Sequence, residues 1–201
     1  YPLRRQRQMC IRDRGTGYEQ GVQDDIDVYF ATFAKSMAGI GAFLAGDKDV
    51  IQFLQYNMRS QTFAKTLPMA MVKGALKRLD MIRTMPELKD TLWKNTNSLQ
   101  SGLRNAGFDL GTTQTCITPV FLQGEVPEAM ALVYDLRENH GVFCSIVVYP
   151  VIPKGLIILR LIPTATHTQT DIDETIVAFS AIRDLLENGT YKKLAASMME
   201  E

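Results

Sequence analysis

Two runs of β-branched residues near the end of the chain constrain its fold more than any other feature. The segments VFCSIVVY (142–149) and LIILRLI (156–162) are predicted to be strands, because Val and Ile favour extended backbone. The proline-punctuated loop PVIPKG (150–155) separates them. Helical patterns lie on both sides of this pair, and buried strands interleaved with helices indicate an α/β or α+β architecture.

The other elements are predicted from hydrophobic periodicity and from residues that begin or end helices. The predicted elements before the strand pair are a strand at 27–33, a helix at 49–56, a loop at 59–70, helices at 69–84 and 86–107, a strand at 116–122 and a helix at 127–141. After the pair, a final helix carries an apolar face that includes Ile172, Phe179 and Ile182. Thr170 is the predicted cap of this helix, with Asp173 reaching back to it.

The length of 201 residues is compatible with one large domain or with one and a half smaller ones. We place a boundary near residue 80, which gives parts at 15–80 and 81–201. The first part has too few predicted strands to close a sheet alone. We therefore expect that part of the domain lies upstream of this sequence.

Composition excludes several classes of protein. Hydrophobic residues make up 46% of the chain, yet no apolar run approaches the roughly 20 residues of a membrane span. The three cysteines have no CxxC spacing, and only two histidines are present. Neither a disulfide framework nor a metal site is predicted, and a reducing cytoplasm is the expected compartment.

The first 14 residues, YPLRRQRQMCIRDR, hold five arginines and one aspartate in a chain with a net charge of zero. A basic arm of this kind can bind nucleic acid or anionic lipid, and that is one alternative function. The segment has no periodicity and no initiator methionine. We interpret residues 1–14 as a non-native arm of translated adapter sequence, with the native part beginning near Gly15.

One lysine interrupts the apolar stretch DVYFATFAKSMAGIGAFLAG (27–46). A buried lysine is costly unless it is paired or neutralised, so Lys35 either reaches solvent from a strand end or is a desolvated candidate nucleophile. The Thr32 hydroxyl lies three residues before it, and the small residues that follow allow a ligand to approach the backbone.

A second isolated charge lies in LIILRLIPTATHT (156–168). The planar guanidinium of Arg160 is suited to bidentate binding of a carboxylate. The alternatives are that strand alternation points Arg160 to solvent, or that it pairs with a structural acid. His167 is interpreted as a hydrogen-bonded structural histidine before the final helix rather than as a catalytic base.

The segment TFAKSMAGIGAF (32–43) resembles the cofactor-lysine motif of the α-oxoamine synthases. These are pyridoxal-phosphate (PLP) enzymes of fold type I, the aspartate-aminotransferase-like class. Further blocks resemble the family in the same order, over about residues 15–190. They are FAKTLPMA (63–70), the helix that begins PELKDTLW (86–111), ITPVFLQG, VVYPVIPKG and LRLIPTATHTQTDID.

The resemblance implies an α/β fold made of the C-terminal part of the PLP-binding large domain and an α+β small domain. It implies that Lys35 bonds covalently to PLP and acts as acid and base on the substrate Cα, and that Thr32 hydrogen-bonds the cofactor phosphate. The loop with Ala64 and Lys65 would reach the phosphate of the partner subunit's cofactor in a homodimer, although these residues replace the hydroxyl residues usual in the family. Arg160 matches the arginine that binds the amino-acid carboxylate.

The blocks are most similar to the bacterial serine palmitoyltransferase branch of the family. They imply decarboxylative condensation of an amino acid, expected to be L-serine, with a long-chain acyl-CoA to a 3-oxo-amine, the first step of sphingolipid synthesis. Glycine C-acetyltransferase and 8-amino-7-oxononanoate synthase activities are alternatives. A non-catalytic partner subunit is a third alternative, against which Lys35 argues. The family's ring-stacking histidine and its pyridine-binding aspartate have no counterpart here, so this fragment alone is expected to be inactive.

Overall fold

The structure, a computed structural model, describes residue 17 and residues 20–198. The predicted non-native arm at 1–14 lies outside the described residues. The chain divides into two compact units, the first ending at Pro86 and the second running from Glu87 to Glu201. Their assignment to a large and a small domain remains a prediction.

The first unit combines a β-hairpin with helices. A short 3-10 turn at Gln23–Asp25 precedes strands β1 (Val28–Thr32) and β2 (Ala42–Gly46), which pair antiparallel from Val28↔Gly46 to Thr32↔Ala42. Helices α1 (Lys48–Asn57), α2 (Arg59–Thr62) and α3 (Met69–Thr84) follow.

The predictions for this unit are partly confirmed. The strand at β1 and the helices at α1 and α3 are confirmed. Strand β2 was not predicted, because its sequence AFLAG is rich in small residues of low strand propensity and pairs only because β1 lies beside it. The predicted loop at 59–70 is wrong over α2, where the Phe63 amide donates to the Arg59 carbonyl and closes one helical turn.

No residue between 20 and 86 is buried. Several large apolar side chains of this unit are instead well exposed, among them Phe53, Tyr56, Phe63, Met69 and Leu76. Exposed apolar surface on this scale is typical of interaction sites. The first unit therefore has no hydrophobic core of its own among the described residues.

The second unit contains the core. Its elements are helix α4 (Pro86–Asn105, which begins one residue before the unit), strand β3 (Thr118–Gln123), helix α5 (Val126–Glu138), strands β4 (Ser145–Val147) and β5 (Leu156–Leu161), and helices α6 (Gln169–Glu187) and α7 (Thr190–Met198). The three strands form an antiparallel sheet in the order β3-β5-β4. The helices bury one face of this sheet in a core that includes Leu103, Val120, Leu132, Leu159 and Phe179.

Strand β4 is shorter than the predicted strand at 142–149. The amide of Val142 donates to the Leu136 carbonyl at the end of α5, and the amide of Val151 donates to the Val148 carbonyl in a turn. Both ends of the β-branched run are therefore committed to caps and turns. Strand propensity alone does not reveal that competition.

The last helices also differ from prediction. The predicted cap at Thr170 with Asp173 is wrong, because Thr168 caps α6 through the Asp171 amide while the Asp171 side chain accepts from the Thr168 amide. Helix α7 was not predicted. Its Tyr191 is buried and donates a hydrogen bond to Asp135 of α5.

Candidate active site

The loop between β1 and β2, residues 33–41, carries Lys35. Backbone hydrogen bonds from Phe33 to the Gly41 carbonyl (2.8 Å) and from Gly39 to the Phe33 carbonyl (2.7 Å) close it. Lys35 lies at the tip and is exposed, so the interpretation of a desolvated lysine is wrong for the described residues. The cause is that no other described element of the first unit covers the tip of this hairpin.

Thr32 closes the base of the same loop. Its hydroxyl donates to the Gly41 carbonyl at 3.2 Å and accepts from the Ala34 amide at 3.1 Å. The proton of the hydroxyl is therefore engaged within the loop. To donate to a phosphate, Thr32 would have to exchange the Gly41 carbonyl for a phosphate oxygen.

Two residues give this loop an unusual backbone. Ala38 has a positive φ of 41°, which residues other than glycine rarely adopt. Its amide donates to the Lys35 carbonyl at 2.8 Å. Gly41 has φ 102°, and a Cβ atom there would lie 2.8 Å from Leu67 Cδ2. Glycine at this position thus permits both the turn and the close approach of Leu67.

The approach of Leu67 places the segment that follows α2 against the base of the Lys35 loop. Ala64 and Lys65 lie in this segment and are both exposed. Neither forms a hydrogen bond or an ion pair with another residue that the structure describes. Their amides and the Lys65 ammonium group remain available to a ligand.

The donor groups of this loop fit a cofactor that carries an aldehyde and a phosphate. Lys35 supplies a primary amine that no described carboxylate engages in an ion pair. The amides of Lys35 and Ser36 form no hydrogen bond with other described residues, and the Ser36 side chain adds a hydroxyl. Amines react with aldehydes, and clustered N–H and O–H donors bind phosphate.

Arg160 lies in the central strand of the second unit's sheet and is half-buried. Alternation along β5 points Ile157, Leu159 and Leu161 into the core and Arg160 to the opposite face. No carboxylate among the described residues pairs with the guanidinium, which excludes a structural acid within that set. Its Nε–H donates instead to the Ser145 hydroxyl at 2.9 Å.

Sequence reasoning missed Ser145, although a signal for it exists. The loop PVIPKG is centred between Ile152 and Pro153, and Ser145 and Arg160 are equally distant from that centre. An antiparallel hairpin folded about this centre pairs the two residues, as β4 and β5 do. The predicted strands at 142–149 and 156–162 flank the same loop, so the pairing could have been predicted from the symmetry about its centre.

The structural role predicted for His167 is confirmed. Its Nδ1 accepts from the Thr164 amide at 3.1 Å, and its carbonyl accepts from Asn95 Nδ2 at 2.8 Å. Asn95 is buried and also donates to the Thr164 carbonyl. Helix α4 thus fixes the segment that follows Arg160, and this buried amide was not singled out from the sequence.

The described cysteines do not supply a nucleophile. Cys116 and Cys144 are both buried and form no disulfide. Burial raises the pKa of the Cys144 thiol to about 11, which keeps it protonated near neutral pH. The described residues also contain no group of carboxylates, cysteines and histidines that could hold a metal ion.

The structure thus collects Thr32, Lys35 and the segment with Ala64 and Lys65 in the first unit. Arg160 belongs to the second unit. Within residues 17 and 20–198, no helix is both long and apolar enough to cross a membrane.

Comparisons with known proteins match most of the chain. Residues 11–179 match the family model described as aminotransferase class I and II. The chain is 64% identical to a cysteate-C-fatty acyltransferase of Capnocytophaga ochracea, over 94% of this chain and 45% of that protein. It is 39% identical to a serine palmitoyltransferase of Sphingobacterium spiritivorum, over 81% of this chain and 40% of that protein.

A solved structure is also similar. The serine palmitoyltransferase of Sphingomonas wittichii matches with a TM-score of 0.79 and 28% identity, over 87% of this chain and 44% of that chain. The present chain therefore spans less than half the length of the relatives that it matches.

Proposed function

Because the chain belongs to the aminotransferase class I and II family, we propose that the complete protein is a C-acyltransferase that joins an amino acid to a fatty acyl-CoA. The observation that carries the proposal is Lys35, a primary amine that forms no ion pair with a described residue and lies on a glycine-closed loop with the α-oxoamine synthase motif. The predicted family, the predicted type I fold and the predicted cofactor, pyridoxal phosphate, are confirmed by the matches.

The roles of the chain's own residues are part of the proposal. Lys35 holds the cofactor through Nζ and then takes and returns the proton at the substrate Cα. Thr32 binds the phosphate of the cofactor that Lys35 holds, whereas the amides near Ala64 and the Lys65 ammonium group bind the phosphate of the partner subunit's cofactor. Arg160 binds the amino-acid carboxylate and so orients the bonds of the Cα atom. The bound cofactor supplies an electron sink for the negative charge that develops on that carbon.

The amino acid is the point at which the sequence prediction and the similarities differ. The sequence blocks predicted L-serine, whereas the identity of 64% to a cysteate-C-fatty acyltransferase exceeds the 39% to a serine palmitoyltransferase. We therefore propose L-cysteate as the amino acid and keep L-serine, with entry into sphingolipid synthesis, as the second candidate. Glycine and alanine, which glycine C-acetyltransferase and 8-amino-7-oxononanoate synthase would condense, have less support.

The remaining features are proposed with the same activity. The enzyme works as a homodimer in the cytoplasm and releases carbon dioxide with a 3-oxo-amine product. These 201 residues alone are expected to show no turnover, because the family's pyridine-binding aspartate and ring-stacking histidine have no counterpart among them. A non-catalytic partner subunit is disfavoured, because such a subunit does not need Lys35.

The test uses the complete protein loaded with pyridoxal phosphate. Borohydride reduction followed by peptide mass analysis should place the cofactor on Lys35. Lys35→Ala should abolish acyl-CoA consumption, whereas Lys48→Ala, at the exposed start of α1, should not change it.

Retained turnover in the Lys35→Ala protein would contradict the central assignment. Among amino acids, kcat/KM should be highest for L-cysteate. A higher value for L-serine would select the second candidate, and turnover with glycine alone would overturn both.

A further inference from the structure

One row of side chains crosses the sheet of the second unit at Arg160. The register pairs Arg160 of β5 with Ser145 of β4 on one side and with Pro119 of β3 on the other. Side chains directly opposite each other in an antiparallel sheet lie on the same face and touch. The next row on this face is Val147, Ile158 and Phe121, which are apolar.

Arg160 has only one polar side-chain neighbour in this row. Among the residues of the described strands β3, β4 and β5, it alone carries a charge. Pro119 has no polar side-chain atom, so the hydrogen bond from Arg160 Nε to Ser145 Oγ (2.9 Å) is the contact that orients the guanidinium. The Ser145 hydroxyl in turn donates to the Arg160 carbonyl at 3.4 Å.

The use of Nε has a geometric consequence. A guanidinium can bind a carboxylate in two bidentate ways. One uses the edge that contains Nε, and the other uses the end formed by Nη1 and Nη2. Ser145 occupies the Nε edge of Arg160. The two terminal nitrogens form no hydrogen bond with other described residues and are left for a ligand.

The neutrality of the serine also matters. An aspartate or glutamate at this position would engage the guanidinium in an ion pair and reduce its attraction for a second carboxylate. A hydroxyl fixes the side chain without opposing its charge. A half-buried arginine with a neutral anchor is thus well arranged to bind an anion.

From this geometry we infer that Ser145 is a positioning residue, which holds Arg160 so that Nη1 and Nη2 bind the substrate carboxylate end-on. The inference rests on the proposed role of Arg160 in amino-acid binding. Ser145 does not touch the reacting atoms. Its loss should therefore weaken amino-acid binding and leave the acyl-CoA and the chemical step nearly unchanged.

The experiment measures dissociation constants of L-cysteate and of taurine for the complete, cofactor-loaded protein. Taurine is cysteate without its carboxylate, so it does not need Arg160. Ser145→Ala should weaken cysteate binding about tenfold, near the lower limit for one hydrogen bond to a charged group, and leave taurine binding within twofold. Ser145→Thr, which keeps the hydroxyl, should restore most of the cysteate affinity.

Two further variants sharpen the result. Ser145→Asp should weaken cysteate binding more than Ser145→Ala does, because the new carboxylate competes for the guanidinium. Ser180→Ala removes an exposed hydroxyl of α6 that bonds only within its helix, and it should change neither constant. In steady-state kinetics, Ser145→Ala should raise KM for cysteate while kcat and KM for the acyl-CoA stay within twofold.

The outcomes separate the inference from the proposed function. If wild-type protein binds cysteate and Ser145→Ala binds it equally well, the inference fails and the proposed function stands. If Ser145→Ala weakens cysteate and taurine alike, the role of Ser145 is structural and the inference also fails. If wild-type protein binds neither cysteate nor serine, the proposed function fails and the inference fails with it.

Discussion

The contact between Tyr191 and Asp135 is expected to anchor helix α7, and Tyr191→Phe tests it. The Tyr191 ring is only 2% exposed, and its hydroxyl donates to Asp135 Oδ2 of α5. Asn139 Nδ2 donates to Oδ1 of the same carboxylate at 2.6 Å. Phenylalanine keeps the packed ring and removes a single hydrogen bond, so the change isolates the polar part of the contact.

The expected loss is about 1–2 kcal/mol of unfolding free energy at pH 7. A hydrogen bond to a charged group contributes roughly 1.5–3 kcal/mol, and the lower part of this range applies because Asp135 remains partly accessible to water. Burial acts to raise the pKa of Asp135, but the hydrogen bonds from Tyr191 and Asn139 outweigh it and leave the pKa lowered.

The pH dependence follows from the tyrosine. Burial, and then the bond to Asp135, raise the pKa of Tyr191 above its ordinary value of 10.0. A group whose pKa is raised by folding contributes its full stability below the unfolded pKa and loses it as the pH rises through the folded pKa. The wild-type advantage over Tyr191→Phe should thus be constant up to about pH 9 and fall by roughly 1.4 kcal/mol per pH unit above 10.

Trp93 is the only tryptophan of the chain and lies in α4, so its fluorescence reports unfolding of the second unit. Urea unfolding would be followed at pH 7, 9, 10 and 11. Tyr134→Phe is the matched control, because Tyr134 lies on the same helix α5 and is 63% exposed. A loss below 0.5 kcal/mol at pH 7, or parallel pH curves for wild type and Tyr191→Phe above pH 10, would refute the reasoning.

Two further changes test packing and capping in the second unit. In Gly102→Ala the added Cβ would lie 2.2 Å from Ile176 Cδ1, so overpacking should outweigh the helix propensity of alanine and cost about 1 kcal/mol net. Gly74→Ala in α3 is the control, because the added Cβ would contact only the flexible end of an arginine side chain. Thermal unfolding is followed by circular dichroism, and equal midpoints for the two variants would contradict the clash. Thr168→Ala should lower the free energy of unfolding in urea by about 1 kcal/mol through loss of the α6 cap. Thr170→Ala should lower it by less than about 0.5 kcal/mol. The reverse order would show that the cap is misassigned.

Sequence predicted the fold best where the signal is local. Helix α3 begins and ends where its periodicity and the flanking Pro68 place it, and α4 ends before Gly107, whose φ is 85°. Strand β2 and helix α7 were missed because their support is not local. The first depends on pairing with β1, and the second on the buried contacts of Tyr191.

For the candidate site as well, the sequence predicted features that depend on local residues and missed those that depend on distant segments. The spacing of Thr32 and Lys35 and the glycines that follow placed the Lys35 amine on a tight loop, and the structure has that loop. The sequence left open whether Lys35 reaches solvent or is desolvated, because burial is set by segments distant in sequence, and the structure has it exposed. For Arg160 the chemistry was visible in the sequence, but its anchor Ser145 required the register of two strands.

Lys35 and Arg160 share one property that bears on where the activity resides. Lys35 lies at the tip of a hairpin in a unit with no buried residue between 20 and 86, and Arg160 points away from the packed face of its sheet. Each of these two cationic groups thus faces a surface that its own unit leaves uncovered. Reactive amines and carboxylate-binding guanidinium groups gain strength when water is excluded. A working site therefore needs cover that neither group receives within its own unit, which agrees with the proposal that the complete protein, about twice the length of this chain in its relatives, carries the activity.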